Sequence, residues 1–69
     1  MPAVVLYTKP SGCSLCDDAR AMLDRLGVAY TVAYDDAYAL RVPVIEVDGS
    51  IVTEGRISER AVLRALRTR

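Results

Sequence analysis

Residues 4–16 read Val-Val-Leu-Tyr-Thr-Lys-Pro-Ser-Gly-Cys-Ser-Leu-Cys, and they carry the most informative pattern in the chain. The run Val4–Thr8 is apolar and rich in β-branched and aromatic residues, which predicts a buried strand. The segment Lys9–Gly12 that follows carries the proline and glycine of a turn. Cys13 and Cys16 then stand where a helical pattern begins. The stretch therefore predicts a strand that passes through a turn into a helix, with two cysteines at the junction.

Helical spacing continues from about Ser14 to Leu26, and Gly27 is expected to end the helix as its C′ residue. The apolar residues that recur at this spacing predict one inward face: Cys16, Ala19, Met22, Leu23 and Leu26. Charged residues supply most of the wet face: Asp17, Asp18, Arg20, Asp24 and Arg25. The pattern predicts an amphipathic helix packed on a sheet.

The middle of the chain adds three strands. Val28–Ala33 predicts a second strand, and a strand–helix–strand unit favours parallel pairing with a right-handed crossover. Tyr34–Arg41 has room only for a stub of one or two helical turns. Val42–Val47 predicts a third strand, and Asp48-Gly49 is a strong hairpin signal. Ile51–Glu54 should then return antiparallel to the third strand.

The end of the chain predicts a second helix. Ser58 is a suitable N-cap for a helix from Glu59 to about Thr68. The residues expected to face inward are Val62, Leu63 and Leu66. The predicted order is therefore β-α-β-(stub)-β-β-α, in a single domain over residues 1–69.

Composition narrows the class of protein. Hydrophobic residues make up 52% of the 69 residues and charged residues 26%, which argues for a globular domain and against disorder. Nine basic and nine acidic residues cancel, so no overall charge favours nucleic acid or a membrane surface as partner. No apolar run approaches the length of a membrane span, and the first residues lack a secretion signal. We therefore expect a cytoplasmic monomer, and in that reducing compartment two cysteines point to catalysis or metal binding rather than to a structural disulfide.

The position of the two cysteines points to redox chemistry. A helix N-terminus presents unpaired N–H groups and the positive end of the helix dipole, which stabilise a thiolate. The thiolate is the species that attacks disulfides, so we expect the pKa of Cys13 to lie below its usual value. Lys9 lies just before the turn and would add a favourable positive charge. Cys16 lies one turn deeper on the same side and can resolve the mixed disulfide that Cys13 forms.

Other interpretations of the cysteine pair stay open. A disulfide that closes so short a loop stabilises a fold little. A self-contained zinc site needs about four ligands, which two cysteines and no histidine cannot supply. A metal or iron–sulfur cluster held by Cys13 between two protomers is the alternative function. A redox-inactive interaction domain is a third hypothesis.

Several motifs resemble the glutaredoxin family and its redoxin relatives. They are Leu6-Tyr7-Thr8-Lys9-Pro10, Gly12-Cys13-Ser14-Leu15-Cys16, Arg41-Val42-Pro43-Val44-Ile45, the Asp48-Gly49 hairpin and Gly55 before the last helix. The chain also resembles the redoxins that serve ribonucleotide reductase, through Lys9-Pro10, Leu23-Asp24-Arg25 and Val47-Asp48-Gly49. The resemblance implies a thioredoxin-like, glutaredoxin-type α/β fold. In this fold a four-stranded mixed sheet is packed by helices, and the helix between strands 2 and 3 is reduced to a stub.

The resemblance also implies roles for individual residues. It implies that Pro43 is cis and lies beside the Cys13 sulfur, and that the Val42 backbone hydrogen-bonds an extended thiol substrate. Lys9, Val42 and Pro43 are thus the expected substrate-binding residues, with Cys13 and Cys16 as the catalytic pair and no metal ligand. The implied partner is a disulfide-containing small molecule or protein. No bound cofactor is expected, and electrons would come from glutathione as co-substrate or from a flavin-dependent reductase.

Two stretches depart from the family pattern. Ser14-Leu15 stands between the cysteines, where glutaredoxins often have Pro-Tyr. Arg56 follows Gly55, where the family's glutathione pocket has a second glycine.

Overall fold

The computed structural model describes residues 3–9 and 12–67. Its elements are β1 (Val4–Tyr7), α1 (Ser14–Arg25), β2 (Thr31–Ala33), a 3₁₀ helix (Asp36–Tyr38), β3 (Val44–Val47), β4 (Ser50–Glu54) and α2 (Glu59–Arg67). This order confirms the predicted β-α-β-(stub)-β-β-α arrangement, and the 3₁₀ helix is the predicted stub.

The strands form one mixed sheet in the order β2-β1-β3-β4. β1 and β2 are parallel, as the predicted crossover requires, with Val5 opposite Thr31. β3 is antiparallel to both β1 and β4. The register between β3 and β4 shifts between Ile45 and Glu46, a bulge that places one extra residue on β4.

One face of the sheet, called the core face below, carries the hydrophobic core. Residues that alternate along β1 and β3 point to it and meet the apolar sides of both helices. The buried cluster consists of Val4, Leu6, Ala19, Met22, Leu23, Ile45, Val47 and Val62. Fully burying a side chain of this size contributes about 1.5–3 kcal/mol, so this cluster supplies most of the driving force for folding.

The opposite side, called the second face below, is formed by Val5, Tyr7, Val44 and Glu46. Val5 pairs with Glu46 and Tyr7 pairs with Val44 across β1 and β3, so the four side chains share one side of the sheet. Only Val44 is buried there, and the other three are half-buried. The sole element between β2 and β3 is the 3₁₀ helix. Because it is so short, it covers only part of this face.

The end of α1 explains why β2 is shorter than predicted. Gly27 has φ +71, a left-handed conformation that glycine adopts without steric cost. Its N–H donates to the carbonyl of Asp24 at 3.1 Å, and the Val28 N–H donates to the carbonyl of Leu23 at 3.1 Å. These bonds confirm Gly27 as the residue that ends the helix. They also use the Val28 N–H, which leaves it no part in a ladder; the prediction that β2 begins at Val28 was wrong, and the strand begins at Thr31.

Three other predicted details need correction. β1 ends at Tyr7 rather than Thr8, although the Thr8 N–H still donates to the carbonyl of Ala33 at 3.1 Å. β3 begins at Val44 rather than Val42, since Pro43 has no N–H to donate to a ladder. Arg20 is half-buried rather than part of the wet face of α1.

The predicted hairpin turn at Asp48-Gly49 and the predicted N-cap at Ser58 are both confirmed. Asp48 and Gly49 have positive φ values of 52° and 85°, as a type I′ hairpin turn requires. The Ser58 hydroxyl accepts from the N–H of Ala61 at 3.2 Å and caps α2. The predicted helix end at Thr68 and two turn positions, Pro10 and Ser11, lie outside the described residues.

Candidate active site

Cys13 is the N-cap of α1. Its backbone is extended, with φ −127 and ψ 94, while its carbonyl already accepts from the N–H of Asp17 at 3.2 Å. Its sulfur accepts a hydrogen bond from the N–H of Cys16 at 3.1 Å. An N-cap side chain normally satisfies one of the unpaired N–H groups in this way, and here the acceptor is sulfur. The helix start therefore directs a donor and the positive end of the dipole at Sγ of Cys13.

The two cysteines form a disulfide, so the structure shows the oxidised form of the site. Their Cα atoms lie 5.2 Å apart, a separation that spans one turn of helix. Cys13 is half-buried, whereas Cys16 is only 3% exposed. Cys13 is thus the more accessible residue of the pair, and it is the one that lines a groove.

A groove of about 310 Å³ opens beside Cys13. Two segments of the chain, one before and within the start of α1 and one after the 3₁₀ helix, form its lining. The lining residues are Lys9, Gly12, Cys13, Ser14, Leu15, Ala39, Leu40 and Val42. The fold thus brings two of the three predicted substrate-binding residues, Lys9 and Val42, into one groove with Cys13.

Pro43, the third predicted binding residue, lies next to the groove rather than in its lining. The Val42–Pro43 peptide bond is cis, as the resemblance implied. Pro43 itself is buried, and its carbonyl accepts from the N–H of Gly55 at 2.8 Å. It therefore ties the start of β3 to the end of β4 and leaves Val42 at the groove.

The backbone of Val42 is free to bind. Val42 precedes the first paired residue of β3, and no hydrogen bond between described residues uses its N–H or its carbonyl. Its side chain is half-buried. A free backbone donor and acceptor at the end of a strand, beside a reactive sulfur, can pair with an extended peptide.

The groove wall after the 3₁₀ helix is anchored by Tyr38. Its hydroxyl donates to the Glu46 carboxylate at 3.0 Å, and its ring packs edge-on against Tyr7 with centroids 4.7 Å apart. The Tyr7 hydroxyl points to the other oxygen of Glu46, at 3.4 Å. The guanidinium of Arg41 lies over the Tyr38 ring, 5.3 Å from its centroid, and forms an ion pair with Glu54. Two aromatic rings, a shared carboxylate and an ion pair thus hold the wall against the sheet.

This anchor perturbs both tyrosines. The hydrogen bond to Glu46, burial and nearby negative charge raise the pKa of Tyr38 above its ordinary value of 10.0. Burial raises the pKa of Tyr7 too, and the charge of Glu46 adds to that effect. Both hydroxyls therefore stay protonated and donate to Glu46 at neutral pH.

Sequence reasoning missed the anchor and the exposed Leu40. Tyr38 and Glu46 belong to different elements, and no helix or strand period connects them. The sequence did carry a signal for Leu40, because this large apolar residue lies in the predicted stub Tyr34–Arg41, which is too short to form an apolar helix face. Arg41 belongs to a motif that the sequence analysis noted, but its partner Glu54 could be identified only from the fold.

The described residues contain no group of three or more histidine, cysteine or acidic residues placed to hold a metal ion. Among the helices that the structure describes, none has the length and apolar character needed to cross a membrane.

Fold and site together define a class of protein. A four-stranded mixed sheet with two helices, and a dithiol pair at the start of the first helix, is a thioredoxin-like arrangement. The Glutaredoxin family model matches residues 4–36, just under half of the chain, which covers β1, α1 and β2. This match and the fold are consistent with a glutaredoxin-like protein of the thioredoxin superfamily, as the sequence resemblance implied.

No curated protein and no solved structure shows significant similarity to the chain. The family match and the Cys13–Cys16 disulfide support a role in thiol–disulfide redox chemistry in general.

Proposed function

We propose that the protein is a dithiol–disulfide oxidoreductase in which Cys13 is the nucleophile and Cys16 the resolving cysteine. One observation carries the proposal: the two sulfurs sit at the N-terminus of α1 with Cys13 in a groove and Cys16 buried behind it. The lower exposure of Cys16 supports this order of reaction.

In the first step, the Cys13 thiolate attacks one sulfur of a substrate disulfide. A bond forms between Cys13 Sγ and that sulfur, the substrate S–S bond breaks, and the second half of the substrate leaves as a thiolate. The N–H of Cys16, which lies 3.1 Å from Cys13 Sγ in the oxidised form, stabilises the attacking anion.

In the second step, Cys16 attacks Cys13 Sγ and releases the first half of the substrate as a thiolate. The Cys16 thiol proton passes to solvent or to a leaving thiolate. The protein ends as the Cys13–Cys16 disulfide seen here, having given two electrons to the substrate. An external thiol donor then restores the dithiol. We propose glutathione or a flavin-dependent reductase as that donor.

Substrate binding uses the groove. The free N–H and carbonyl of Val42 would pair with the substrate backbone, Pro43 would hold that backbone segment in place, and Lys9 would favour the anionic sulfur species. The substrate is a disulfide of a small molecule or a protein. That the protein is a monomer and is located in the cytoplasm remains a prediction from the sequence.

Single-cysteine variants test the assignment. With Cys13→Ser, the rate of disulfide reduction should fall to that of a blank, because the accessible nucleophile is lost. With Cys16→Ser, the protein should instead accumulate a covalent adduct with half of the substrate, detected as a mass increase in intact-protein mass spectrometry.

The opposite pattern, with an adduct on Cys13→Ser and none on Cys16→Ser, would reverse the roles. Turnover by both variants would overturn the dithiol mechanism.

The reduction potential is a second test of the mechanism. The protein is equilibrated in glutathione redox buffers and its free thiols are counted. A reversible two-electron transition near or below the cytosolic poise, about −220 to −320 mV, is expected for a reductase of that compartment. If no reversible disulfide forms at any poise, the mechanism fails. An absorbance spectrum of freshly purified protein would then show whether an iron–sulfur cluster is carried between two protomers.

A further inference from the structure

Two exposed leucines line the same groove as Cys13. Leu15, between the two cysteines, is 43% exposed. Leu40, in the groove wall after the 3₁₀ helix, is fully exposed at 101%. Both line the groove. Single exposed leucines are common on protein surfaces. Two of them in one groove, on the two segments that surround a reactive sulfur, form an apolar rim of the kind that marks a binding site.

Leu40 is held in its exposed position rather than carried on a free loop. The N–H of Arg41 donates to the carbonyl of Tyr38 at 2.8 Å and closes a turn with Leu40 inside it. The residues on either side are both fixed: Tyr38 binds Glu46, and Arg41 is paired with Glu54. The wall therefore presents an apolar side chain to solvent in an ordered setting.

The charges of the groove restrict its ligand. Among the described residues of the lining, Lys9 is the one that carries a charge. Arg41, which follows Leu40 in the chain, forms an ion pair with Glu54. Glutathione brings two carboxylates and an ammonium group, and a groove with a single lysine and two leucines offers them few partners. A cysteine within a protein chain has uncharged peptide groups on both sides, which suit the free backbone of Val42.

We propose that the substrate is a protein disulfide whose cysteine, in an extended segment, has an apolar side chain as its neighbour, and that Leu40 and Leu15 select that side chain. This inference rests on the proposed function. The extended segment would pair with Val42, its sulfur would lie at Cys13, and its apolar neighbour would pack between the two leucines. Leu40 is then a specificity-determining residue of the groove.

The test is a single-turnover reaction, which needs no electron donor. Reduced protein is mixed with a symmetric disulfide of a short peptide capped at both ends, and the release of peptide thiol is followed by chromatography. One peptide has leucine beside its cysteine and the other has serine. In each reaction the protein is oxidised to the Cys13–Cys16 disulfide while two peptide thiols form.

The expected result is a second-order rate constant about tenfold higher for the leucine peptide than for the serine peptide, the lower end of what one apolar contact contributes to discrimination. Leu40→Ala should bring this ratio close to one. Ile51→Ala is the matched control, since Ile51 is another exposed aliphatic residue (42%) but lies outside the groove lining. The control should keep the wild-type ratio.

Glutathione disulfide, which carries carboxylates and ammonium groups, is the third substrate and is compared with the two capped peptides. It should react more slowly than the leucine peptide. Equal rates for both peptides, or a faster reaction with glutathione disulfide, overturn the inference while the proposed function stands. A reduced protein that reduces none of the three disulfides overturns the proposed function itself, and the inference with it.

Discussion

The two faces of the sheet differ in how they are covered and in what holds them. On the core face, both helices bury an apolar cluster around Leu6, Leu23 and Ile45. On the second face, a three-residue 3₁₀ helix reaches the sheet through Tyr38, and the contacts are hydroxyl–carboxylate bonds, an aromatic pair and a nearby ion pair.

This difference indicates that the two faces of the sheet have different roles. Apolar burial is non-directional and contributes most of the stability. Hydrogen bonds and edge-on rings contribute less but depend on geometry. We infer that the core face makes the domain fold, whereas the second face sets the position of the groove wall beside Cys13.

The largest effect on stability is expected at the centre of the core face. Leu23 is fully buried between α1 and the sheet, so Leu23→Ala leaves a cavity. Substitutions of this kind cost about 2–5 kcal/mol. Urea denaturation followed by circular dichroism measures the loss, with Leu40→Ala as the control at an exposed leucine. A loss for Leu23→Ala as small as that of the control would contradict the assignment of the core.

A sharper comparison uses two neighbouring valines of β1. Val4 is buried on the core face, and Val5 is half-buried on the second face. Val4→Ala removes two buried methyl groups and should cost roughly 2–3 kcal/mol, while Val5→Ala should cost about 1 kcal/mol or less. The same denaturation experiment measures both. Equal losses would show that the second face is as tightly packed as the core face.

Glu46 tests whether the second face positions the groove wall. Glu46→Ala removes the acceptor of Tyr38 and Tyr7, so the wall that carries Leu40 loses its anchor. The melting temperature should fall less than in Val4→Ala, but the preference for the leucine peptide over the serine peptide should drop towards that of Leu40→Ala. Glu46→Gln, which keeps one acceptor oxygen, should recover part of that preference. A preference untouched by Glu46→Ala would mean that the wall does not depend on this carboxylate.

The smallest effect is a loss of stability in alkali. Since the hydrogen bond to Glu46 raises the pKa of Tyr38 above 10.0, the folded state holds this proton more tightly than the unfolded chain does. The stabilisation is complete below the ordinary pKa and is lost as the pH rises through the raised value. Melting temperatures from about pH 8 to about pH 11 should fall less steeply in Tyr38→Phe than in the wild type. Parallel slopes would argue against the Tyr38–Glu46 bond.

Much of the fold was predictable because its signals are local. The helical spacing that ends at Gly27, the Asp48-Gly49 turn and the Ser58 cap each lie within a few residues of the structure they determine. A prediction was wrong where a backbone N–H forms a hydrogen bond that the sequence pattern does not indicate. The Val28 N–H, taken by Leu23, shortened β2 in this way.

The residues of the candidate site also fall into those with a local signal in the sequence and those without one. Cys13 and Cys16 could be identified from the sequence because a cysteine pair at a strand-to-helix junction is a local pattern, and Lys9 lies just before it. That Val42 shares the groove was implied by family resemblance and not by any period in the chain. The carboxylate that Tyr7 and Tyr38 share, that of Glu46, was not predictable, since it depends on how β3 lies beside β1.

The sequence by itself determined the order of the elements, the inward face of α1 and the pair of sulfurs at its start, because these depend on spacing and on residues adjacent in the chain. The backbone groups left free and the side chains that line the groove, by contrast, follow only from the tertiary structure. Those properties arise where residues far apart in sequence come together: Tyr7 with Glu46, Arg41 with Glu54, and Leu15 and Leu40 in the lining of one groove. A contact of that kind depends on the packing of the whole sheet, so it leaves no period in the local sequence.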